Sequence, residues 1–566
     1  MNYGHNPTPN LMYTGVLSDK TILETRFAGF WGNDHAGPIV QGEPRIKPRF
    51  YNLDSGEVTG GVYYWYDNQT YQGTASAKIS HFADKFMGAS HDFKFGVQYV
   101  NGGVHNAVTG YNDLIFTSDY TDIYGSTSQQ AYGYQYQPFT YGGTTTGLGV
   151  FMDDSIRVND RFTLNVGVRY DHNTAKVPKL DVLDQQGAPT GEVIPGRDLF
   201  TWKTVSPRVG FNLKLTGDGK TVLRGHFARL YRSIVTGEYS SSIGVSPHVT
   251  LSGSYDLATG AFVDPEVSEF SQNQRVDPGY DNPYTDQYVL SVERELAKNV
   301  ALSVHYINKR ARHSSAWRDL VGQYEDVTIV DDVGAGATGR PVVVQRLVSD
   351  PSERLFELSN NDLMKTNTQA LTAQVTKRMS QGWQVTAAYT YLDSKGVLPS
   401  TRLDLLAAQR ATARFSDFGQ NPNDFVNAYG KLLGNRPHTF KVQFVAELPV
   451  GFVVSGNYLY QSGRAWARRS RVIEPDLGFP SAPEINIEER DGSRHVPNQS
   501  NLDLRLEKRF SLGKTARLSF LADALNLFNT GVNQGVLSRI VDVETFGVPS
   551  DFLYPRRLML GAKFTF

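Results

Sequence analysis

The 566-residue chain contains no cysteine, which excludes disulfide scaffolds, thiolate metal sites and cysteine nucleophiles. Its 56 Lys and Arg residues are balanced by 57 Asp and Glu residues, so the formal net charge is −1 and there is no basic excess to bind a nucleic-acid backbone. Long apolar runs are also missing, since the longest (448–454) has seven residues even when Gly and Pro are counted. A transmembrane helix needs roughly 17–25 residues, so a helical membrane protein is excluded.

Catalytic and metal-binding motifs are missing as well. The twelve histidines are scattered, and the sequence has neither a zincin motif nor a nucleophile elbow. Residues 217–221 resemble a phosphate-binding loop, but the earlier glycine that such a loop requires would fall at Lys214. A tight turn between two strands explains this segment fully. We therefore expect neither an enzyme nor a bound cofactor or metal.

Aromatic residues are abundant, with 31 Phe, 30 Tyr and 6 Trp, and apolar residues alternate with polar ones along many segments. Successive side chains of a strand point to opposite faces, so each such segment is predicted to be a strand with one apolar and one polar face. Seventeen strands are predicted in this way, at 10–18, 21–32, 74–84, 89–100, 145–157, 161–172, 207–216, 221–231, 285–296, 299–309, 366–378, 383–392, 437–448, 451–463, 499–510, 516–528 and 557–566.

The linkers between these strands alternate in length without exception. Eight linkers have two to five residues, and the other eight have 28 to 56. Short turns at one end and long loops at the other are typical of outer-membrane barrels. We therefore predict an all-β fold: an antiparallel transmembrane β-barrel with 16–18 strands present, short periplasmic turns and long extracellular loops. A large sandwich or a propeller is the alternative. The recurring charged residues of the polar faces are predicted to line a wet lumen; they are Lys441, Glu447, Asp503, Arg505 and Glu507.

The last strand ends on an aromatic residue, with Leu558, Leu560, Phe564 and Phe566 on one face. This pattern resembles the C-terminal signal that the barrel-assembly machinery recognises. Seventeen strands is an odd number, whereas bacterial single-chain barrels have an even number. Either a further strand lies near 61–66 or the chain is part of a longer protein. The first residues lack a cationic n-region and an apolar h-region, so no secretory signal is predicted and the second explanation is favoured.

Several segments are similar to strand motifs of TonB-dependent receptors of the Oar-like, large-barrel type. They lie at 90–99, 162–171, 206–211, 417–422, 436–440, 461–464, 501–510 and 523–529. The resemblance implies a 22-stranded barrel filled by an N-terminal plug, with a TonB box that contacts the energy-transducing complex of the inner membrane. Residues 1–566 would then be a single barrel domain in the outer membrane of a Gram-negative cell. It would be partial at its N-terminus, without plug or signal peptide, and would belong to a receptor for a scarce solute.

Two aromatic clusters in the predicted long loops are candidate ligand-binding sites. Their rings offer flat apolar faces with polar tips, which suit glycans, peptides or aromatic chelates. The alternative is an aromatic girdle at the membrane interface, or packing between loops. The segment with Arg464, Trp466, Arg468 and Arg469 favours an anionic ligand or, as the alternative, a rim that attracts lipopolysaccharide phosphates. The clusters comprise Tyr63, Tyr64, Trp65 and Tyr66, and then Tyr132, Tyr134, Tyr136, Phe139 and Tyr141 of the segment 120–141.

The expected partners follow from this location. They are outer-membrane lipid and lipopolysaccharide, the barrel-assembly machinery, a small solute, glycan or peptide, and the TonB complex through the missing plug; no nucleic acid is expected. Two other functions remain open at this point. One is a passive porin-like or adhesin-like barrel, and the other is a secreted, soluble β-protein that binds glycans through its aromatic loops.

Overall fold

The computed structural model describes residues 3–38, 44, 46–121, 126–240, 242–270, 272–397, 417–513 and 515–566. These residues form strands, turns and short 3-10 segments, and no α-helix is found among them. Within this part of the chain, no helix has the length and apolar character needed to cross a membrane.

Seventeen long strands form one antiparallel meander, here called the barrel wall, in which sequence neighbours pair side by side. They are β1 (Asn10–Ser18), β2 (Thr21–Ala36), β3 (Tyr64–Phe86), β4 (Ala89–Tyr111), β5 (Phe139–Arg157), β6 (Phe162–Val177), β7 (Arg197–Lys214), β8 (Thr221–Tyr231), β9 (Tyr284–Ala297), β10 (Val300–Arg312), β11 (Thr366–Ser380), β12 (Trp383–Gly396), β13 (His438–Leu448), β14 (Phe452–Gln461), β15 (Gln499–Leu512), β16 (Ala516–Leu525) and β17 (Arg557–Thr565). Two short strands, Tyr3–His5 and Gly430–Lys431, extend the same sheet.

All seventeen predicted strands are confirmed, but several continue farther towards the long loops than the alternation indicated. The predicted strands 74–84 and 89–100 are β3 and β4, which have 23 residues each. The suggestion of a separate strand near 61–66 is wrong, because Tyr64 is the first residue of β3. The strand pairing therefore leaves the number of long wall strands at seventeen within the described residues.

The two faces of the wall differ as the alternation predicted. On one face, Val150 of β5 lies opposite Val97 of β4 and Tyr170 of β6, and all three side chains are exposed. On the other face, Arg505 donates to both carboxylate oxygens of Asp523, at 2.6 and 2.8 Å. These two residues line a cavity together with Asp503. The apolar face therefore points outward, and the polar face lines the lumen.

The segment 217–221 is a tight turn between β7 and β8, as predicted. The Asp218 carboxylate accepts hydrogen bonds from the Lys220 backbone N–H at 3.0 Å and from the Thr216 hydroxyl at 2.6 Å. Gly219 adopts a φ of 69°, which glycine reaches without steric cost. The segment therefore reverses the chain and does not form a phosphate-binding loop.

The wall has two open edges. In the described residues, β1 pairs only with β2, and β17 pairs only with β16. Leu560 of β17 is 87% exposed, whereas Leu148 in the middle of the wall is 46% exposed. Because seventeen is odd, β1 and β17 run in the same direction, and they cannot pair antiparallel with each other.

The long loops are folded and contain strands of their own. Loop strands from different linkers pair into small sheets, the largest with six strands. They are Arg49–Asn52, Val58–Gly60, Leu114–Thr121, Thr127–Tyr136, Leu180–Leu183, Pro189–Ile194, Val249–Asp256, Ala261–Glu269, Gln274–Val276, Ser315–Asp319, Tyr324–Val330, Pro341–Leu347, Phe356–Asn360, Arg469–Arg471, Glu484–Asn486, Asn533–Val536 and Pro549–Phe552. The 3-10 segments are Thr236–Glu238, Pro351–Glu353, Pro422–Phe425 and Pro449–Gly451.

Candidate functional site

Two aromatic clusters that lie far apart in the sequence meet at the long-loop end of the wall. Tyr64 begins β3 and lies opposite Tyr111, the last residue of β4. The loop strand Thr127–Tyr136 brings the second cluster to the same place. We call the resulting patch the tyrosine surface; its members are Tyr63, Tyr64, Tyr66, Tyr111, Tyr132, Tyr134 and Tyr136.

The rings of the tyrosine surface form a continuous chain of contacts. Tyr64 stacks on Tyr66 at 6.0 Å between ring centroids, and Tyr63 contacts Tyr111 at 5.8 Å. Tyr111 then contacts Tyr136 at 5.8 Å, which links the two clusters. Tyr111 was not predicted as a site residue, because it is an isolated tyrosine in the sequence. Only the pairing of β3 with β4 could identify it.

Alternation along β3 separates the exposed tyrosines from a buried tryptophan. Tyr64 is 47% exposed, whereas the neighbouring Trp65 is 4% exposed. Trp65 packs on Gly110, where an added Cβ would lie 2.5 Å from the indole ring. Gly110 therefore makes room for the tryptophan, which supports the tyrosine surface from its opposite face.

The tyrosine surface is neutral and rich in hydroxyl groups. Burial raises the pKa of Tyr136, and the nearby Tyr63, Tyr134 and Tyr111 raise it further. The Tyr136 hydroxyl therefore remains protonated at neutral pH and can both donate and accept hydrogen bonds. Gln135 lies between Tyr134 and Tyr136 on the opposite face of the strand, where its amide donates to Asp113 at 3.1 Å. This hydrogen bond holds the Asp113 carboxylate beside Gln135, on the face of the strand opposite the rings of Tyr134 and Tyr136.

The other predicted aromatic residues are engaged in packing between loops. Phe139 stacks on His248 at 4.2 Å, and His248 stacks on Phe270 at 4.6 Å. Tyr141 forms a β-bridge with Val245. Trp466 is buried against Phe546, with the Arg494 guanidinium 5.1 Å from the centre of its ring.

A second candidate site, which the sequence did not indicate, is a cavity of about 880 Å³ in the lumen. The cavity is lined by polar side chains of several wall strands, among them Gln98, Arg169, Asp171 and Arg208. Arg169 donates to Asp171 at 2.7 Å and to Gln98 at 3.1 Å. No local pattern could reveal this site, because its residues come from strands far apart in the sequence.

Part of the cavity wall is a segment that leaves the top of β8, residues 232–240 and 242–246, here called the strap. Residues 232–236 of the strap line the cavity. Arg232 pairs with Glu238 at 2.5 Å, and burial raises the pKa of Glu238 against the opposing effect of Arg232. The Tyr239 hydroxyl donates to the Thr144 carbonyl at 2.7 Å, and Gly142 N–H donates to Gly244 at 2.8 Å. The strap therefore reaches from β8 to β5 and is fixed at both ends.

The described residues contain no group of three or more His, Asp or Glu side chains that could hold a metal ion. The two candidate sites contain π-faces, hydroxyls, amides, the guanidinium–carboxylate pairs Arg169–Asp171 and Arg232–Glu238, and the guanidinium of Arg208. This chemistry suits reversible binding of a polar solute.

The comparisons with known proteins agree with the fold. A family model described as "Outer membrane beta barrel domain" matches residues 2–468. The chain is similar to the TonB-dependent transporter Oar of Myxococcus xanthus, with 22% identity over 560 residues, 88% of this chain and 48% of that protein. The chain thus spans about half the length of the curated relative it matches.

Two solved structures have the same fold. The outer membrane transporter YddB from Escherichia coli is 14% identical and has a TM-score of 0.58; the match covers 100% of this chain and 63% of that chain. The siderophore receptor PiuA from Acinetobacter baumannii is 10% identical and has a TM-score of 0.52, with 100% and 64% covered. The similar proteins are transporters and receptors, in agreement with the expectation that this chain is not an enzyme.

Proposed function

The chain belongs to the outer membrane beta barrel domain family, and on that premise we propose that it is the barrel portion of a TonB-dependent receptor that admits a scarce solute. It is an outer-membrane β-barrel protein similar to TonB-dependent transporters. In this proposal the tyrosine surface contacts the solute outside the membrane, and the cavity beside the strap receives it inside the lumen. The observation that carries the proposal is this polar cavity, because its side chains converge from distant strands.

The open edges support a barrel with more strands than the seventeen of the wall. Because β1 and β17 run in the same direction, antiparallel closure requires an odd number of further strands. Five additional strands would give the 22 that the resemblance implies. A plug preceding them would supply the contact with TonB and control passage through the lumen. The chain alone would then form most of the barrel that surrounds the passage, and without the plug it would not perform energised transport.

The outward faces of the wall provide the contacts with lipid and lipopolysaccharide in this proposal. The exposed apolar residues Leu558, Leu560 and Phe564 of β17, together with Phe566 directly after it, are the signal for the barrel-assembly machinery. An unpaired strand edge offers backbone groups to another strand, which is how such a signal could be read.

Uptake by cells that carry the natural full-length protein tests the proposal, with radiolabelled maltohexaose, a hexapeptide and a ferric tricatecholate as probes. We expect saturable uptake of one probe class, lost when the energy gradient of the inner membrane is dissipated. The combined variant Tyr64→Ala, Tyr111→Ala and Tyr134→Ala should weaken binding roughly tenfold or more, since each lost aromatic contact is worth about 0.5–1.5 kcal/mol.

The matched control changes three tyrosines of the outward wall, Tyr170→Ala, Tyr288→Ala and Tyr306→Ala, which should leave uptake unchanged. Uptake that persists without the energy gradient would identify a passive pore instead. Adhesion to glycans without any uptake would identify an adhesin.

A further inference from the structure

A further cavity, of about 420 Å³, lies at the short-turn end of the lumen, and we call it the turn-end cavity. Arg157, the last residue of β5, lies opposite Thr163 of β6, and Thr163 lies opposite Asn212 of β7. Asn212 lies opposite Arg224 of β8. Each of the four is an odd number of residues from an outward side chain of its own strand, Val150 in the case of β5, without a bulge in between. The row therefore faces the lumen.

The turn-end cavity carries an excess of positive charge. Four of its side chains are cationic and one is a carboxylate; they are Arg157, Arg161, Lys214, Arg224 and Asp160. Arg224 pairs with Glu293 at 2.5 Å. In the part of the chain that the structure describes, Arg157, Arg161 and Lys214 form no ion pair with a carboxylate. All three side chains are exposed, so a solute in the lumen can reach them.

Other cations of the lumen and the loops are engaged inside the protein. Arg169, beside the strap, pairs with Asp171 at 2.7 Å. Arg464, which the sequence indicated as a ligand contact, donates to the Gln534 carbonyl at 2.5 Å. A cation with such a partner attracts a passing anion weakly, whereas several unpaired cations in one concave region focus a positive potential there. The turn-end cavity therefore differs from these places in the charge that it offers to a solute.

The turn-end cavity continues the cavity beside the strap along the same strands. Between them lies a cavity of about 320 Å³, which shares Arg208 with the cavity beside the strap. It is also lined by Asn165 and Gly210, which lie two residues from Thr163 and Asn212 of the turn-end cavity. Residues two apart on a strand share a face and are roughly 7 Å apart. The three cavities therefore follow one another along the lumen-facing side of β5 to β8.

We propose that the turn-end cavity binds a negatively charged group of the solute, so that the lumen favours anionic solutes over neutral ones. This inference rests on the proposed function, because it specifies the chemical class of the solute that the receptor admits. The guanidinium groups of Arg157 and Arg161 match a carboxylate or phosphate with paired N–H donors, and Lys214 adds an ammonium group with three donors. The solute would meet these cations last, after the cavity beside the strap.

Binding to the purified full-length natural protein tests the inference, with two linear hexasaccharides as probes. Hexagalacturonate carries a carboxylate on every sugar, and maltohexaose is neutral. Arg157→Gln/Arg161→Gln/Lys214→Gln should weaken the binding of hexagalacturonate about tenfold, because three exposed ion pairs of modest strength are lost together. The affinity for maltohexaose should not change. Higher salt should reduce the difference between parent and variant, since salt screens exposed charges.

The matched control changes three cations in or beside other short turns, Lys20→Gln/Lys85→Gln/Lys298→Gln, which do not line the turn-end cavity. It removes the same charge from the same end of the wall and should bind hexagalacturonate as the parent does. Equal weakening in control and triple variant would overturn the site, because the attraction would then be general. Absence of hexagalacturonate binding to the parent would overturn it too. Unchanged binding with a lower melting temperature in the triple variant would show that these cations stabilise the protein itself instead.

Uptake by cells, measured with the same two probes, separates this inference from the proposed function. Energy-dependent uptake of maltohexaose without binding of hexagalacturonate would leave the proposed function standing and overturn the anion site. Binding of hexagalacturonate that depends on the three cations, without uptake of any probe, would support the anion site and contradict the proposed transport.

Discussion

The barrel wall and the long-loop half place their apolar side chains in opposite ways. The long-loop half comprises the loop strands, the strap and the ends of the wall strands that lead into the long loops. In the wall, large apolar residues such as Val150 are exposed on the outward face. In the long-loop half they are buried in clusters, one around Trp202, Tyr239 and Trp317 and another around Val344 and Ile485. The difference follows from the solvent, because lipid accepts an apolar surface and water does not. The loops must therefore build a core of the kind found in soluble domains.

The largest expected effect is the loss of one of these loop cores. Trp317 is 1% exposed and packs in the cluster that joins the strap to neighbouring loop strands. Trp317→Ala should destabilise the long-loop half by about 3–5 kcal/mol, the usual cost of deleting a buried aromatic ring. Limited proteolysis of the protein in the membrane should then cut the loops while the wall stays folded.

Trp317→Phe is the control, because it keeps most of the buried volume. Heat-modifiable migration on gels measures separately whether the wall is still folded. If Trp317→Ala abolished that migration shift, the two halves would not be energetically separate.

The next effect is the difference between the same substitution, Val→Arg, at a position that faces lipid and at a position that faces water. Val150 in the wall is 44% exposed and Val343 in a loop strand is 53% exposed, so their accessibilities are similar. Val150→Arg should cost about 2–4 kcal/mol, because a cation near the middle of the bilayer is unfavourable. Val343→Arg should change stability by less than about 0.5 kcal/mol, because it faces water between the buried Val342 and Val344.

Denaturant unfolding in bilayers, read by tryptophan fluorescence, gives both values. Similar costs at the two positions would mean that Val150 does not face lipid. The assignment of the two faces of the wall would then fail.

The smallest effect is a pH response confined to the long-loop half. His248 lies between Phe139 and Phe270, and its Nδ1 is hydrogen-bonded to the Ser246 carbonyl at 2.9 Å. Burial lowers the pKa of His248 below its ordinary value, and the Ser246 carbonyl opposes this. The unfolded state therefore takes up the proton first as the pH falls below about 6.5. Loop stability should be constant above that pH and should decrease below it.

Protease resistance of the loops between pH 7.5 and 5.5 measures this response. His248→Phe keeps a three-ring stack without a titratable group, so its resistance should vary less with pH than that of the parent. An identical pH profile in the variant would assign the response to other groups.

The strands of the wall could be predicted one by one, because the sequence pattern that indicates each strand lies within that strand and its adjacent turn. A period of two in hydrophobicity and a tight turn such as 217–220 are both contained within a few residues, so all seventeen strands were found. The odd number of strands, which was obtained by counting, was enough to predict that the first and last strands do not pair with each other. The six-stranded loop sheet could not be found, because it pairs Thr250 with Tyr136, which lies more than a hundred residues earlier in the sequence.

The candidate sites show the same division. Tyr64 and Tyr134 were recognisable as members of local aromatic clusters, and they remain predicted ligand contacts. Tyr111 was missed as a site residue, since it stands alone in the sequence and becomes significant only through its cross-strand partner Tyr64. Trp65 was grouped with its neighbours, although alternation along β3 places its ring in the packed interior.

The sequence by itself determined which segments cross the membrane, which face of each segment is apolar, and at which end the loops are long. These properties depend on near neighbours in the chain and on the solvent they meet. The tertiary structure alone decided which loops pair, which tyrosines form one surface, and which distant strands line the cavity in the lumen. Those outcomes depend on strand register and on contacts across large sequence separations, which no local pattern encodes.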